Sequence, residues 1–322
     1  MRAVRNTEDG ITVTTVDDPP EKAPARSTGG LEVGAVRVSV VASGICGTDV
    51  HLVSFGPSAV PPGHEFAGRL DDGTPVAVLP MVRCGRCHRC LAGQEQQCPE
   101  AFSAMYGISR DGGMADAAWV DPSCARPLPE TLTLEDACLV EPLAVAVHGV
   151  DRAGVEGGMR VLVIGAGPIG LAAIAALTAR GIAPDVAAHR PNRMEAAERL
   201  GGTLSVGRDY DVVLEAAGTQ DSMNGAATLA RPGGTIGILS SFWSPVAIDL
   251  GVLMKEITII PSFTYGHHEG ESEFDMAADL LGRQPDIAMT MVTHRFDLGD
   301  AAEAFRVASD RTAPAIKVVL MP

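Results

Sequence analysis

The stretch MRVLVIGAGPIGLAAIAALTARG, residues 159–181, decides the fold class. It begins with a short apolar run typical of a buried strand, passes through a glycine-rich turn, and continues as a long apolar stretch typical of a helix. Three glycines in the turn form the pattern G-x-G-x-x-G, which allows a tight turn and lets the helix N-terminus meet a pyrophosphate. The stretch predicts a dinucleotide site, with a purely structural turn as the alternative. Its predicted cofactor-binding residues are Gly165, Gly167, Pro168, Ile169 and Gly170.

Strand and helix patterns alternate on the carboxyl side of this turn. "PDVAAH" precedes "PNRMEAAERLG", "YDVVLEAAG" precedes "DSMNGAATLA", and the strand patterns "GGTIGILS" and "EITIIPSF" follow. Such alternation predicts a parallel, doubly wound sheet. On the amino side, residues 1–80 and 100–135 are rich in Val, Gly and Pro with short alternating runs. They predict a β-rich, barrel-like part.

The end of the second strand bears on the choice of cofactor. An NAD site usually has Asp or Glu there, which accepts a hydrogen bond from the ribose 2′-hydroxyl. Counting from Gly165, that position falls near Ala188, which His189 and Arg190 follow. A guanidinium can pair with a 2′-phosphate, whereas a carboxylate would repel it. We therefore expect NADP to be preferred over NAD, the alternative being a solvated arginine and an NAD site without its usual partner.

Composition narrows the class of protein and its compartment. The chain has 322 residues, 46% of them hydrophobic, and a net charge of −15 with a pI near 4.9. An acidic chain is a poor match for nucleic acid or an anionic membrane, so neither is expected as a partner. The first residues lack the apolar run of a secretion signal. We expect a cytoplasmic protein, in which thiols stay reduced and clustered cysteines bind metal or do redox work.

Four of the seven cysteines lie together in CGRCHRCLAGQEQQC, residues 84–98. Cys84, Cys87, Cys90 and Cys98 are spaced C-x2-C-x2-C-x7-C. Four thiolates can close a tetrahedral shell around zinc and leave no position for a substrate. An iron–sulfur cluster is the main alternative, but the ferredoxin pattern places its last cysteine three residues on. The spacing predicts a structural zinc site; disulfides and a redox Cys-x-x-Cys fit less well.

A second group of potential ligands is spread over two glycine-bounded motifs. "GICGTDVH" contains Cys46, and "PPGHEFAG" contains His64 and Glu65. A thiolate, an imidazole and a carboxylate from separate turns can bind one zinc ion and keep a coordination position open. An open zinc lowers the pKa of a bound alcohol as it does that of water, which suits hydride transfer to a nicotinamide.

These motifs together resemble those of a known family. "GICGTDVH", "GHEFAG", the four-cysteine stretch, "GISRDGGMADAAWV", "LVEPLAVAVHG", "VLVIGAGPIGLAA" and "VTHRFDLGDAAEAF" occur in an order similar to that of the zinc-dependent medium-chain dehydrogenases/reductases, the alcohol, polyol and threonine dehydrogenase superfamily. The resemblance implies an α/β fold that pairs a GroES-like β-barrel catalytic domain with a doubly wound Rossmann domain. The implied domains are 1–147 with a zinc lobe at 84–98, 148–289 for the dinucleotide, and a return to the catalytic domain over 290–322.

The same resemblance assigns metal ligands. It makes Cys46 and His64 ligands of a catalytic zinc and Glu65 a direct or exchangeable ligand. Glu141 falls where other alcohol dehydrogenases of the family have a third-ligand cysteine, and a carboxylate there is similar to the polyol and threonine dehydrogenase branch. Whether Glu65 or Glu141 is the direct ligand stays open. With the four-cysteine site, two zinc ions per chain are expected.

The reaction that the resemblance implies is hydride transfer between NADP(H) or NAD(H) and a secondary alcohol or ketone of a polyol, cyclitol or amino alcohol. Thr48 would pass the alcohol proton on and His51 would carry it to solvent. The family is commonly dimeric or tetrameric, which implies a homo-oligomer. The alternatives are a simple alcohol or aldehyde dehydrogenase, a zinc-independent reductase of the same superfamily, and a nicotinamide-binding sensor. The stretch between the two metal motifs is short and Pro-rich, which puts the substrate analogy in doubt more than the reaction class.

Overall fold

The computed structural model describes residues 1–17 and 34–322. The chain forms two compact units, which do not follow the predicted boundaries at every point. The first consists of 1–141, 269–288 and 292–322, and the second of 142–268 and 289–291.

The largest shift from the predicted boundaries concerns 269–288, which we assigned to the dinucleotide domain. This segment groups with the first unit because its helix pairs Asp275 with Arg126 and places Gly282 against Thr131.

The secondary structure follows the predicted division into a β-rich part and an alternating part. The strands of the described residues are, in chain order, β1 (Arg2–Thr7), β2 (Gly10–Thr15), β3 (Val36–Gly44), β4 (Glu65–Leu70), β5 (Pro75–Val78), β6 (Ala117–Val120), β7 (Ala125–Pro127), β8 (Val161–Ile164), β9 (Asp185–Ala187), β10 (Tyr210–Glu215), β11 (Ala230–Ile238), β12 (Thr258–Pro261), β13 (His267–His268), β14 (Glu271–Ser272), β15 (Val292–Asp297) and β16 (Lys317–Met321). The α-helices are α1 (Gly47–Val53), α2 (His88–Leu91), α3 (Val140–Arg152), α4 (Pro168–Ala179), α5 (Pro191–Arg199), α6 (Gln220–Leu229), α7 (Leu250–Met254), α8 (Glu273–Arg283), α9 (Asp286–Met291) and α10 (Ala301–Ser309). Short 3₁₀ helices lie at Glu95–Gln97, Phe102–Ala104, Pro122–Cys124, Ala137–Leu139 and Leu298–Asp300.

The first unit is built on a sheet in the order β15-β16-β3-β4-β5-β7, with β6 also paired to β3. Most of its strand pairs are antiparallel, and β1 and β2 form a separate hairpin. The strand from the far end of the chain, β16, lies directly beside β3, where Val319 faces Gly44. This placement brings residues near 317 next to the end of β3, where the first metal motif begins. The β-rich architecture predicted for this part is confirmed.

The second unit is a five-stranded sheet in the order β12-β11-β10-β8-β9, and its pairs are all parallel. The four residues of β8 are buried, and α4 buries the run from Gly170 to Leu177. Continuous apolar runs of this kind are typical of parallel strands covered on both faces. The predicted Rossmann-type α/β fold is confirmed. The strand order reverses between β8 and β10, which is where such sheets bind their ligands.

One part of the second unit is shorter than in a full doubly wound sheet. Between α5 and β10 there are only residues 200–209, with a single isolated bridge from Thr203 to Asp185. A parallel crossover needs a dozen or more residues, so no further strand–helix unit fits there. The strand β9 is therefore the last in its sheet on that side.

Within 1–17 and 34–322, no helix combines the length and the apolar character that crossing a bilayer requires.

Candidate functional site

The first metal motif folds as a helix N-terminus whose cap is Cys46. Its sulfur accepts from the backbone N–H of Thr48 at 3.5 Å, and Asp49 reaches back to the backbone N–H of Cys46 at 2.8 Å. Together these contacts make a capping box, which fixes the thiol at the start of α1. Thr48 and His51 follow at a spacing of three residues, so they lie on one face of the helix.

The second motif places His64 and Glu65 at the start of β4. Nδ1 of His64 lies 3.4 Å from Oδ1 of Asp49, and both side chains are buried. The two atoms form no hydrogen bond among the described residues, but a carboxylate next to the ring is common beside metal-binding histidines. Burial disfavours the imidazolium, but the charges of Asp49 and Cys46 outweigh it and raise the pKa of His64 well above its ordinary value. A cation is therefore favoured at this spot.

Glycine at position 44 makes room for the neighbouring carboxylate. Gly44 faces Glu65 in the β3–β4 register, and a Cβ on Gly44 would come within 2.2 Å of Oε2 of Glu65. Any larger residue there would push this carboxylate out of its position.

Glu65 also has a partner that the sequence did not predict. Nζ of Lys317, on β16, donates to its two oxygens at 2.7 and 2.6 Å and to the carbonyl of Ile45 at 3.3 Å. Lys317 is 2% exposed and Glu65 1%. Burial would lower the pKa of Lys317, but the neighbouring charge of Glu65 outweighs burial and raises it. A lysine within the apolar run IKVVLM was the available signal, because lysine is almost never buried unless paired.

Cys46, His64 and Glu65 offer ligand atoms that all lie within 4.8 Å of one another. A tetrahedral zinc ion holds its ligand atoms about 3–4 Å apart, so the cluster fits zinc and leaves a fourth position open. With Cys46 as thiolate and His64 as the neutral imidazole that a metal binds, Cys46, Asp49 and Glu65 carry three negative charges against one positive charge on Lys317. The two remaining charges match a divalent cation.

Glu141, the other proposed ligand, is not part of that group. It is buried in the first turn of α3 and has its own contacts. Its role as a ligand stays a prediction.

The four-cysteine lobe forms the second cluster of ligands. Its sulfurs lie within 4.8 Å of one another, with 3.5 Å between those of Cys87 and Cys90. A zinc–sulfur bond of about 2.3 Å requires sulfurs about 3.8 Å apart, whereas a disulfide requires about 2.0 Å. The backbone N–H of Arg86 is the main cause that lowers the pKa of Cys84 to about 6, whereas burial is the main cause that raises the pKa of Cys90 in the same cluster. The lobe therefore fits a closed zinc site.

The glycine turn of the second unit has the shape that a pyrophosphate requires. Gly165 has φ +96°, and a Cβ on Gly170 would lie 1.8 Å from the carbonyl oxygen of Gly165. At Gly167, by contrast, a Cβ would meet only Nη1 of Arg193, at 3.8 Å. Among the described residues no side chain caps this end of α4, and uncapped N–H groups at a helix N-terminus are suited to binding an anion.

The residues after β9 contain one more cation than we predicted. Arg190 is the N-cap that precedes α5 and His189 is exposed, while Arg193 reaches the glycine turn. Nε of Arg193 is buried and without a hydrogen-bond partner in the described part of the chain. Burial, and then the charge of Arg190, lower the pKa of Arg193. Two neighbouring guanidinium groups with a buried donor left over form a site for an anion.

Comparison with known proteins gives the family. The alcohol dehydrogenase GroES-like domain matches residues 32–130, and the glucose dehydrogenase C-terminus matches residues 135–321. L-galactonate-5-dehydrogenase of Escherichia coli K12 is 31% identical over 303 residues, which cover 83% of this chain and 86% of that protein. The chain belongs to the zinc-dependent medium-chain dehydrogenases. It is thus an oxidoreductase of the alcohol and polyol dehydrogenase class, which acts on CH–OH groups.

Two solved dehydrogenases resemble this medium-chain dehydrogenase over its whole length. An alcohol dehydrogenase of E. coli CFT073, complexed with NADH, has a TM-score of 0.86 at 26% identity and covers 100% of this chain and 99% of its own. A zinc-binding dehydrogenase of Sinorhizobium meliloti 1021, bound to NADP, has a TM-score of 0.84 at 29% identity with the same coverage. The predicted family and enzyme class are confirmed; the individual site residues stay predictions.

Proposed function

We propose that this dehydrogenase transfers a hydride between NADP(H), or less readily NAD(H), and a secondary alcohol or ketone of a polyol, cyclitol or amino alcohol. The observation that carries the proposal is the Cys46–His64–Glu65 cluster, in which His64 and Glu65 are buried and Cys46 is partly buried, and whose donors fit an open zinc site. When bound, zinc polarises the substrate oxygen, and the nicotinamide accepts or donates the hydride. The similar L-galactonate-5-dehydrogenase also acts, by its name, on a polyhydroxylated substrate.

The residues of the chain would then have separate tasks. Cys46 and His64 hold the metal, and Asp49 holds the imidazole in place. Oγ1 of Thr48 takes the proton of the substrate hydroxyl, and the imidazole of His51 passes it to solvent. Glu65 or Glu141 supplies the third protein ligand, while the four-cysteine lobe binds a second zinc.

Preference for NADP rests on the arginines after β9. A carboxylate is absent at Ala188, and Arg193 adds a buried donor beside the glycine turn. A phosphate dianion on the ribose would give Nε of Arg193 the partner that it lacks among the described residues. The 2′-hydroxyl of NAD offers no such charge.

We therefore expect a higher kcat/KM with NADP than with NAD across a panel of polyols, sugar acids and amino alcohols, followed by nicotinamide absorbance. R193A should lower kcat/KM with NADP by about tenfold or more, since it removes a charge-assisted pair, and change it with NAD by about twofold or less. R199A is the matched control, because Arg199 lies on the same helix but pairs with Glu195 at the surface. Strict preference for NAD in the wild type would contradict the assignment. Zinc analysis should give two ions per chain.

We also propose that the protein is cytoplasmic and forms a homodimer or a homotetramer. Its other partner is the small-molecule alcohol or ketone substrate. The strand β12 is the last in its sheet, and exposed apolar side chains surround it in the sequence. They are Ile248, Leu250, Leu253, Met254 and Phe263. Open sheet edges of this kind pair with other chains, and sedimentation equilibrium measures the mass directly. A net charge of −15 disfavours nucleic acid.

A further inference from the structure

A buried carboxylate lies at the carboxyl end of β10, in the sheet that carries the glycine turn. Glu215 is the last residue of that strand and is fully buried. It belongs to neither metal cluster, and none of the roles above uses it. A buried carboxylate is costly unless its oxygens are hydrogen-bonded. Its partners therefore show what the charge is retained for.

The carboxylate of Glu215 joins two loops. Oε1 accepts from the backbone N–H groups of Ala217 and Gly218, each at 2.8 Å. Ser240, which follows β11, donates its hydroxyl to the other oxygen. The loop after β10 and the loop after β11 are thus held by one side chain, at the edge where parallel sheets of this type bind dinucleotides.

One of these loops packs against the glycine turn. A Cβ on Gly165 would lie 3.0 Å from the Cβ of Ala217, so the turn and the loop are in close contact. The two loops also touch each other, since a Cβ on Gly218 would come within 2.9 Å of the carbonyl oxygen of Ser241. Gly218 has φ +71°, a conformation that fixes the path of the loop. A movement of the loop after β10 would therefore change the space above the glycine turn.

We propose that Glu215 is a positioning residue for the dinucleotide: its carboxylate holds the loops after β10 and β11 against the glycine turn, and so shapes the site before the cofactor arrives. The inference rests on the proposed function, because it needs a dinucleotide at that turn. Pre-organised loops cost less ordering free energy when a ligand binds. Glu215 itself acts through hydrogen bonds to protein groups.

The test measures dinucleotide binding separately from stability. NADPH and NADH are titrated by fluorescence into the zinc-loaded wild type and the variants E215A, E215Q and S240A, and Tm is recorded without cofactor. The control is Y210F. Tyr210 begins the same strand; its hydroxyl donates to Asp185 at 2.5 Å and accepts from the backbone N–H of Gly207 at 2.7 Å, so this variant removes two partly buried hydrogen bonds at the opposite end of β10.

E215A should raise the Kd of the preferred cofactor by about tenfold or more, since three hydrogen bonds to a charged group are lost. E215Q keeps an acceptor for both backbone N–H groups and should restore Kd to within about threefold of the wild type. Y210F should lower Tm and leave Kd unchanged. S240A removes one bond only and should raise Kd by about threefold; it serves as the test if E215A does not fold.

If the wild type binds the cofactor and E215A binds it with the same Kd, the inference is overturned, whatever happens to Tm. If E215A does not fold, the same holds for S240A. An equal increase in Kd in E215Q and E215A would also overturn the inference, because glutamine keeps the acceptor for the two backbone N–H groups and should therefore keep the loops in place. A wild type that binds neither NADPH nor NADH overturns the proposed function, and this inference with it.

Discussion

The two clusters of potential metal ligands in this dehydrogenase are built in opposite ways. The lobe draws four identical ligands from fifteen consecutive residues, and its sulfurs surround a single point. The cluster around Cys46 takes three different donors from two motifs and needs Asp49 and Lys317 to hold two of them. Four identical ligands from one short stretch can close the coordination shell of a metal. Three different ligands from separate motifs leave one coordination position open, and other parts of the fold must hold those ligands in place. The four-cysteine lobe, which has the most cysteines, is therefore the cluster that is less suited to catalysis.

The largest expected effect comes from the open cluster. C46A should lower turnover by on the order of a thousandfold or more, because the metal that polarises the substrate oxygen loses a ligand. Zinc analysis should fall from two ions per chain to one, and Tm should fall only by the few degrees that the lost cap of α1 accounts for. The control is C124A, which removes a buried cysteine outside both clusters. Full activity in C46A with the lobe zinc retained would refute the mechanism.

In the four-cysteine lobe, a substitution should affect stability before it affects activity. C87S should release the lobe zinc and lower Tm and assembly first, since a structural zinc contributes its binding free energy to folding. Activity should fall only in proportion to the loss of folded protein. Differential scanning calorimetry and turnover per folded chain separate the two. A fully folded, correctly assembled C87S without turnover would mean that the two centres differ less than their geometry indicates.

A smaller but sharper effect is expected at Lys317. K317M should lower the free energy of unfolding by about 3–5 kcal/mol, because it leaves the buried carboxylate of Glu65 without its cation. The double variant E65Q/K317M should recover part of that loss, as it removes the stranded charge. Denaturant unfolding with zinc and with a chelator gives both values. Loss of the same size in the double variant would show that the lysine stabilises by packing alone.

The sequence predicted what is local and missed what is distant. The cysteine lobe, the glycine turn and the Cys46 and His64 motifs are short patterns whose chemistry follows from spacing, and the strand–helix alternation sufficed for the Rossmann sheet. Lys317 escaped notice because it lies 252 residues from Glu65, and no periodicity links a lysine to a carboxylate at that range. Arg193 was overlooked because the argument stopped at the strand end, although the helix that follows brings it to Gly167. Segment 269–288 groups with the first unit and not with the predicted dinucleotide domain, because helical spacing does not reveal which unit a helix packs on.

The pairing of Lys317 with Glu65 also orders events during synthesis. The ribosome makes Glu65 first and must add 252 further residues before its cation exists. At roughly 5–20 residues per second, that interval lasts about 13–50 s. Throughout it the GroES-like strands already have the thiol, the imidazole and the carboxylate, but the carboxylate has no lysine to hold it. The nascent chain therefore completes its lobe early and its reactive centre late, after the dinucleotide unit has emerged.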